Sequence, residues 1–152
     1  MKNRATLRQI EDFISSGPVA IAGVSRNPRK FGYQVFKELK DKGMDVIPVN
    51  PFAGEINGSK VFNNIKSLPE AVRGLIVLTR KEETAGVIKE AKEKGFKQIW
   101  IQQTSDSKEA ISELEGSDIN FITGECILMH YKPDSVHKFH KTLKKFFGLF
   151  PK

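Results

Sequence analysis

The sequence predicts a doubly wound α/β fold: a mainly parallel five-stranded sheet with helices on both faces, in three αβα layers. Three observations predict it. Apolar runs such as "VAIA", "GLIV" and "QIWI" carry no polar alternation, as expected of strands buried on both faces. Amphipathic stretches of about ten or more residues separate those runs, as in repeated β-α-β units. Glycines close two of the stretches, at Gly43 and Gly95, where a helix needs a left-handed stop.

Taken in order, Thr6 to Ser15 reads as a short amphipathic helix with Leu7, Ile10, Phe13 and Ile14 on one side. "GPVAIAG" is the first strand. After a loop, a helix starts near Phe31 or Gly32, and "YQVFKELKDKG" turns Val35, Phe36 and Leu39 inward. "MDVIPVNP" is the second strand, closed by Pro51. Residues 52–72 read as loop, with turn signals at Ala53-Gly54 and Asn57-Gly58 and a helical turn near Pro69. "RGLIVLT", "FKQIWIQQ" and "DINFITG" are the remaining strands. "KEETAGVIKEAKEKG" and "SKEAISELEG" are the helices between them. A last helix is expected from Asp134 to Phe147.

The chain of 152 residues is long enough for one domain with a real core, and it shows no internal repeat or linker. We therefore expect a single domain over 1–152, with an N-terminal helix within 1–16 and a basic C-terminal helix within 132–152. No apolar run reaches the roughly 20 residues that span a bilayer, and "MKNRATLRQIEDF" has no signal-peptide core. Cys126 is the only cysteine, which excludes an intrachain disulfide and makes the cytoplasm the expected compartment. The net charge of +7 favours anionic partners. It is concentrated in two places: the tail from Lys132, with six lysines against one aspartate, and Ser25–Gly32, with Arg26, Arg29 and Lys30 and no acid.

In a doubly wound sheet, ligands sit at the carboxyl ends of the strands, so the loop after "VAIAG" is the first place to look. It is not a dinucleotide loop. Where the fingerprint needs its second and third glycines the chain has Ser25 and Pro28, and the second strand ends in Asn50-Pro51, with no acid to hold a ribose. A Walker-type loop is excluded as well, since no G-K-[ST] follows. The loop nevertheless suits phosphate. Backbone amides after Gly23, the start of a helix, the Ser25 hydroxyl and three cations converge there.

The stretch "VAIAGVSRNPRKFGYQVFKELKDKGMDVIPVNP", with "EINGSKVFNNIKSLPE" and "IWIQQ", resembles the small CoA-binding proteins. It is similar to the CoA-binding domain of the succinyl-CoA synthetase alpha subunit. The resemblance covers roughly Gly17 to Cys126. It implies a Rossmann-like fold with CoA or an acyl-CoA across the strand ends. Carried over by position, Gly23, Val24, Ser25, Arg26, Lys30 and Phe31 would face the phosphates. Asn50, Pro51, Leu78, Thr79 and Arg80 would lie beside the adenosine. Gln102 and Gln103 would border the crevice, and Cys126 matches a cysteine that often follows the fifth strand. The synthetase's phosphorylated histidine belongs to a further domain. His130, His137 and His140 fall in a tail with no counterpart there, so the resemblance implies binding and not ligation.

The expected function is thus non-catalytic binding of a CoA-like nucleotide. One alternative is a CoA-dependent transferase or thiol-exchange enzyme acting through Cys126, which would need an accessible, ionised thiol. Another is a basic-tail protein for nucleic acid or membrane. For the tail helix, packing on its own sheet is favoured, with a homodimer surface as the alternative and nucleic acid disfavoured. His137 and His140, spaced i, i+3, lack the further ligands of a metal site and read as surface or edge histidines.

Overall fold

A computed structural model describes residues 4–132. The chain runs α1 (Leu7–Ile14), β1 (Val19–Ala22), α2 (Phe31–Asp41), β2 (Val46–Val49), β3 (Glu55–Ile56), β4 (Ser59–Lys60), β5 (Gly74–Val77), α3 (Lys81–Lys94), β6 (Gln98–Gln102), α4 (Lys108–Leu114) and β7 (Asn120–Glu125). A 3₁₀ turn over Ile127–Met129 follows. The main sheet has the order β2-β1-β5-β6-β7, and every neighbouring pair is parallel. The fold class is the one the sequence predicts. The chain leaves β1 toward one side to make β2 and returns on the other side as β5. The topological switch therefore lies between β1 and β5, where such sheets open a crevice.

Alternate strand residues face opposite layers, which is why the strands read as continuous apolar runs. Ile21, Ile76, Trp100 and Ile122 pack with Phe13, Val35, Phe36 and Leu39 under α1 and α2. Leu75, Val77, Ile99 and Ile101 pack with Ile88, Ala91 and Leu114 under α3 and α4. The ends are capped as their residues allow. Thr6 and Gln9 form a reciprocal capping box on α1, and Gly95 stops α3 at φ 95°.

Three features differ from the sequence reading. The predicted loop contains the hairpin β3–β4, turning through Asn57 and Gly58 at φ 48° and 76°. Beyond it, Phe62 bridges to the edge of β2: its amide donates to the Pro48 carbonyl (3.1 Å), and its carbonyl accepts from the Asn50 amide (3.0 Å). The fifth strand also runs on to Glu125 through a bulge, because Trp100 pairs with Ile122 but Gln102 pairs with Glu125. Gly124, at φ 74°, supplies the extra residue. The basic helix expected over Asp134–Phe147, with His137, His140 and the dimer surface, lies outside the described residues. The His130 side chain is 2% exposed, its Nε2 lies 3.1 Å from Glu125 Oε2, and its ring packs 5.7 Å from that of Trp100. Among the described residues, no group of three or more His, Cys, Asp or Glu is placed to hold a metal ion, and no helix is long and apolar enough to cross a membrane.

Thr104, just past β6, is a β-branched residue held at φ 80°. Its turn is fixed by the Ser105 amide donating to the Gln102 carbonyl (2.9 Å) and the Gln103 amide donating to the Glu125 carbonyl (3.2 Å). Relieving that backbone strain with Thr104→Gly should raise unfolding stability by about 1 kcal/mol. Urea denaturation checks this, and unchanged or lower stability would contradict it.

Candidate binding cleft at the strand switch

The cleft is built on a backbone junction. Gly23 ends β1 at φ 94°, and a Cβ there would fall 2.7 Å from the Leu78 carbonyl carbon and 2.8 Å from the Thr79 amide nitrogen. Only glycine lets this loop lie flat against the end of β5. Gly32, in the first turn of α2, rests on the Gly23 carbonyl so closely that a Cβ would collide with it. That is the helix-to-strand packing role of a dinucleotide fingerprint's last glycine, here moved past Pro28 to a later position. From the β2 side, the Asn50 side-chain amide donates to the Val24 carbonyl (2.8 Å). Asn50 Oδ1 accepts from the Phe52 amide (2.8 Å), so this side chain ties two loops together.

Between those anchors the loop folds on itself. The Asn27 amide donates to Ser25 Oγ (3.0 Å), the Arg29 amide to Asn27 Oδ1 (3.0 Å) and the Lys30 amide to the Asn27 carbonyl (3.0 Å). Lys30 is the N-cap of α2 but gives no side-chain cap, and the first turn carries no acid. The positive end of the helix dipole therefore faces outward uncompensated. Arg26, Arg29 and Lys30 are exposed beside it.

A cleft of about 630 Å³ opens here, lined by Gly23, Val24 and Ser25 from the loop, Asn50 and Pro51 from the β2 end, and Thr79 and Arg80 from the β5 end. A second cleft of about 420 Å³ shares Thr79 and Arg80 and adds Phe31 and Leu78. The ridge between them is stiff: Thr84 Oγ1 lies 2.9 Å from Thr79 Oγ1 and donates to the Ser105 carbonyl (2.7 Å). Arg80 pairs with Glu83 at 2.8 Å, and that hydrogen bond holds its guanidinium above the ordinary value.

Nine of the fourteen predicted site residues thus line the two clefts. Arg26 and Lys30 stand on the loop beside them. Gln102, Gln103 and Cys126 do not line either cleft. Gln102 and Cys126 are buried and bonded to each other, Nε2 donating to Sγ at 2.9 Å, and Gln102 Oε1 accepts from the Ile127 amide. The bulge at Gly124 accounts for this. One extra residue changes which side chains of β7 point inward, and Cys126 enters the core beside Ile127 and Leu128.

Sequence reasoning passed over a whole wall of the larger cleft: Phe52, Asn63, Asn64 and Ile65 on one side, and Glu83, Val87 and Glu90 on α3. The spacing i, i+4, i+7 on α3 was the available signal, since it marks a single helix face. Asn63 also holds its segment in place, its amide donating to the carbonyls of Asn50 (3.1 Å) and Ala53 (3.2 Å).

A family model described as a CoA binding domain matches residues 18–132. The chain belongs to the CoA-binding domain family. This CoA-binding domain is 34% identical over 93 residues to the alpha subunit of an ADP-forming acetate–CoA ligase II of Pyrococcus furiosus, covering 60% of the chain and 20% of that subunit. It therefore spans about a fifth of the ligase subunit. It is 29% identical to the uncharacterized protein YneT of Bacillus subtilis, over 84% of this chain and 94% of that one. Among solved structures, a conserved hypothetical protein from Pyrococcus furiosus is 36% identical, with a TM-score of 0.71 over 74% of this chain and 97% of that one.

Because Gly23 abuts backbone atoms that cannot move aside, Gly23→Ala should cost at least about 2 kcal/mol of stability. Thermal or urea unfolding reads the loss. A variant as stable as the parent would mean that the junction is not as close as described.

Proposed function

We propose that the domain binds CoA or an acyl-CoA without transforming it. The phosphates rest on the loop from Gly23 to Lys30 and on the start of α2, and the adenosine lies toward Asn50-Pro51 and Thr79-Arg80. The observation that carries this reading is an uncapped helix start and a loop of three exposed cations and no acid, standing at the edge of the two clefts that Gly23, Val24, Ser25 and Phe31 line. Family membership supports it. The likeness to the ligase extends over only 20% of that subunit, so the binding step is what we assign here, and not ligation.

Millimolar CoA or acetyl-CoA should raise the unfolding temperature, since a ligand of the native state at 100 times its Kd adds about 2.7 kcal/mol. Replacing Arg26, Arg29 and Lys30 together by alanine should weaken binding on the order of tenfold or more. Absence of any shift in the parent protein would refute the reading.

The thiol-exchange alternative needs Cys126 to meet a disulfide, yet Cys126 is 6% exposed and outside the clefts. Intact-mass analysis after incubation with CoA disulfide should show no adduct on the folded protein. Stoichiometric addition of one CoA would restore that alternative.

A further inference from the structure

The role of the α3 wall of the larger cleft rests on the nucleotide reading above. α3 starts at the carboxyl end of β5 and runs back toward the start of β6. Its cleft-lining residues therefore descend from Glu83 near the rim, through Val87, to Glu90. At 1.5 Å per residue the two acids stand about 10 Å apart along the axis. Opposite them are Pro51, Phe52 and Ile65, and Phe52 is an exposed aromatic with 82% of its surface free. The cleft is thus divided by charge. Its loop side offers donors, with the cations Arg26, Arg29 and Lys30 exposed on the loop beside it, and its α3 side offers acceptors around an apolar middle.

The polar side chains at the α3 end are not equivalent. Glu83 is paired with Arg80. Asn63 gives its amide to backbone carbonyls, and Asn64 Oδ1 accepts from the Ser67 amide at 2.8 Å. Glu90 makes no hydrogen bond or ion pair among the described residues. An ionised carboxylate only accepts hydrogen bonds, so it favours a ring edge that donates and repels one that presents a carbonyl. With the phosphates held on the loop side, the flat base must lie on the α3 side, where Val87 and Pro51-Phe52 supply apolar faces.

We propose that Glu90 reads the base, accepting a hydrogen bond from the exocyclic amine of an adenine ring that lies between Val87 and Pro51-Phe52. The domain then selects 6-amino over 6-oxo purines. Phosphate contacts supply affinity, and α3 supplies the choice of base.

The test compares CoA with its deaminated analogue, in which hypoxanthine replaces adenine, by calorimetry on the full chain. The parent should prefer CoA on the order of tenfold, a charge-assisted hydrogen bond at a solvated site. Glu90→Gln can also donate, and should bring the ratio close to one while leaving the unliganded melting temperature unchanged. A parent that binds both ligands alike, or a Glu90→Gln protein that keeps the full preference, would overturn the proposal. The same comparison with AMP and IMP separates the two readings. Discrimination there without CoA binding would sink the CoA assignment and leave the role of Glu90 standing. CoA binding with no discrimination in either pair would do the reverse.

Discussion

The site depends on the contact between three pieces of backbone: the Gly23 turn, the end of β5 at Leu78-Thr79, and the first turn of α2 at Gly32. No side chain intervenes at either contact, and so the loop cannot ride higher on the sheet without parting from both. The sheet order brings these pieces together, because β5 adds beside β1 on the side away from β2. Asn50 then closes the junction from the β2 side through the Val24 carbonyl. The crevice is fixed by backbone geometry before any functional side chain is considered.

This explains how the loop can lose two glycines of a dinucleotide fingerprint and still present donors and cations suited to phosphate. The packing role of the last glycine passes to Gly32, which lengthens the loop by several residues. The longer loop has room for Arg26, Arg29 and Lys30 at its exposed edge, while its own hydrogen bonds through Ser25 and Asn27 keep it ordered. Close backbone approach to a pyrophosphate gives way to charged side chains of longer reach. Asn50 occupies the position where an acid would grip a ribose, and both ends of its amide are committed to backbone. On the reading proposed above, recognition of the nucleoside falls to the rest of the cleft, where α3 offers Glu90 as an acceptor with no partner among the described residues.

The strands were legible because burial on both faces leaves a signature that no other element of this chain shares. β1 and β5 are buried at every position. The helix stop at Gly95 and the start of α2 at Phe31 were legible for local reasons, a left-handed cap and a loop ending. The hairpin β3–β4 was not, since its two-residue strands place Glu55, Ser59 and Lys60 where no apolar pattern forms; only Asn57-Gly58 announced it, and as a turn. The loop side of the cleft could be read from the sequence because it is one contiguous loop. The α3 side was legible only as a helix face, because the i, i+4, i+7 spacing of Glu83, Val87 and Glu90 becomes a cleft wall only once the segment around Asn63 is pinned opposite them. Cys126 was misleading for a similar reason. A pairing shift at one glycine decides which way it faces, and that shift depends on how β7 lies against β6.

The bulge also bears on what the fold can do. A nucleophile at the end of the fifth strand would face the same edge of the sheet as the clefts. At Gly124 the chain turns Glu125 and Cys126 inward instead, and Gln102 bonds the thiol from the neighbouring strand. The Trp100 indole donates to the Glu125 carbonyl (3.0 Å), and the Gln103 amide donates to the same oxygen (3.2 Å), so the inward arrangement is held at several points. Exposing the thiol would mean breaking these buried bonds together, at about 1 kcal/mol or more for each. The cleft residues carry hydroxyls, amides and fixed charges, groups that hold and orient an anion. The thiol of Cys126 is kept in the core, apart from the clefts in which those groups converge.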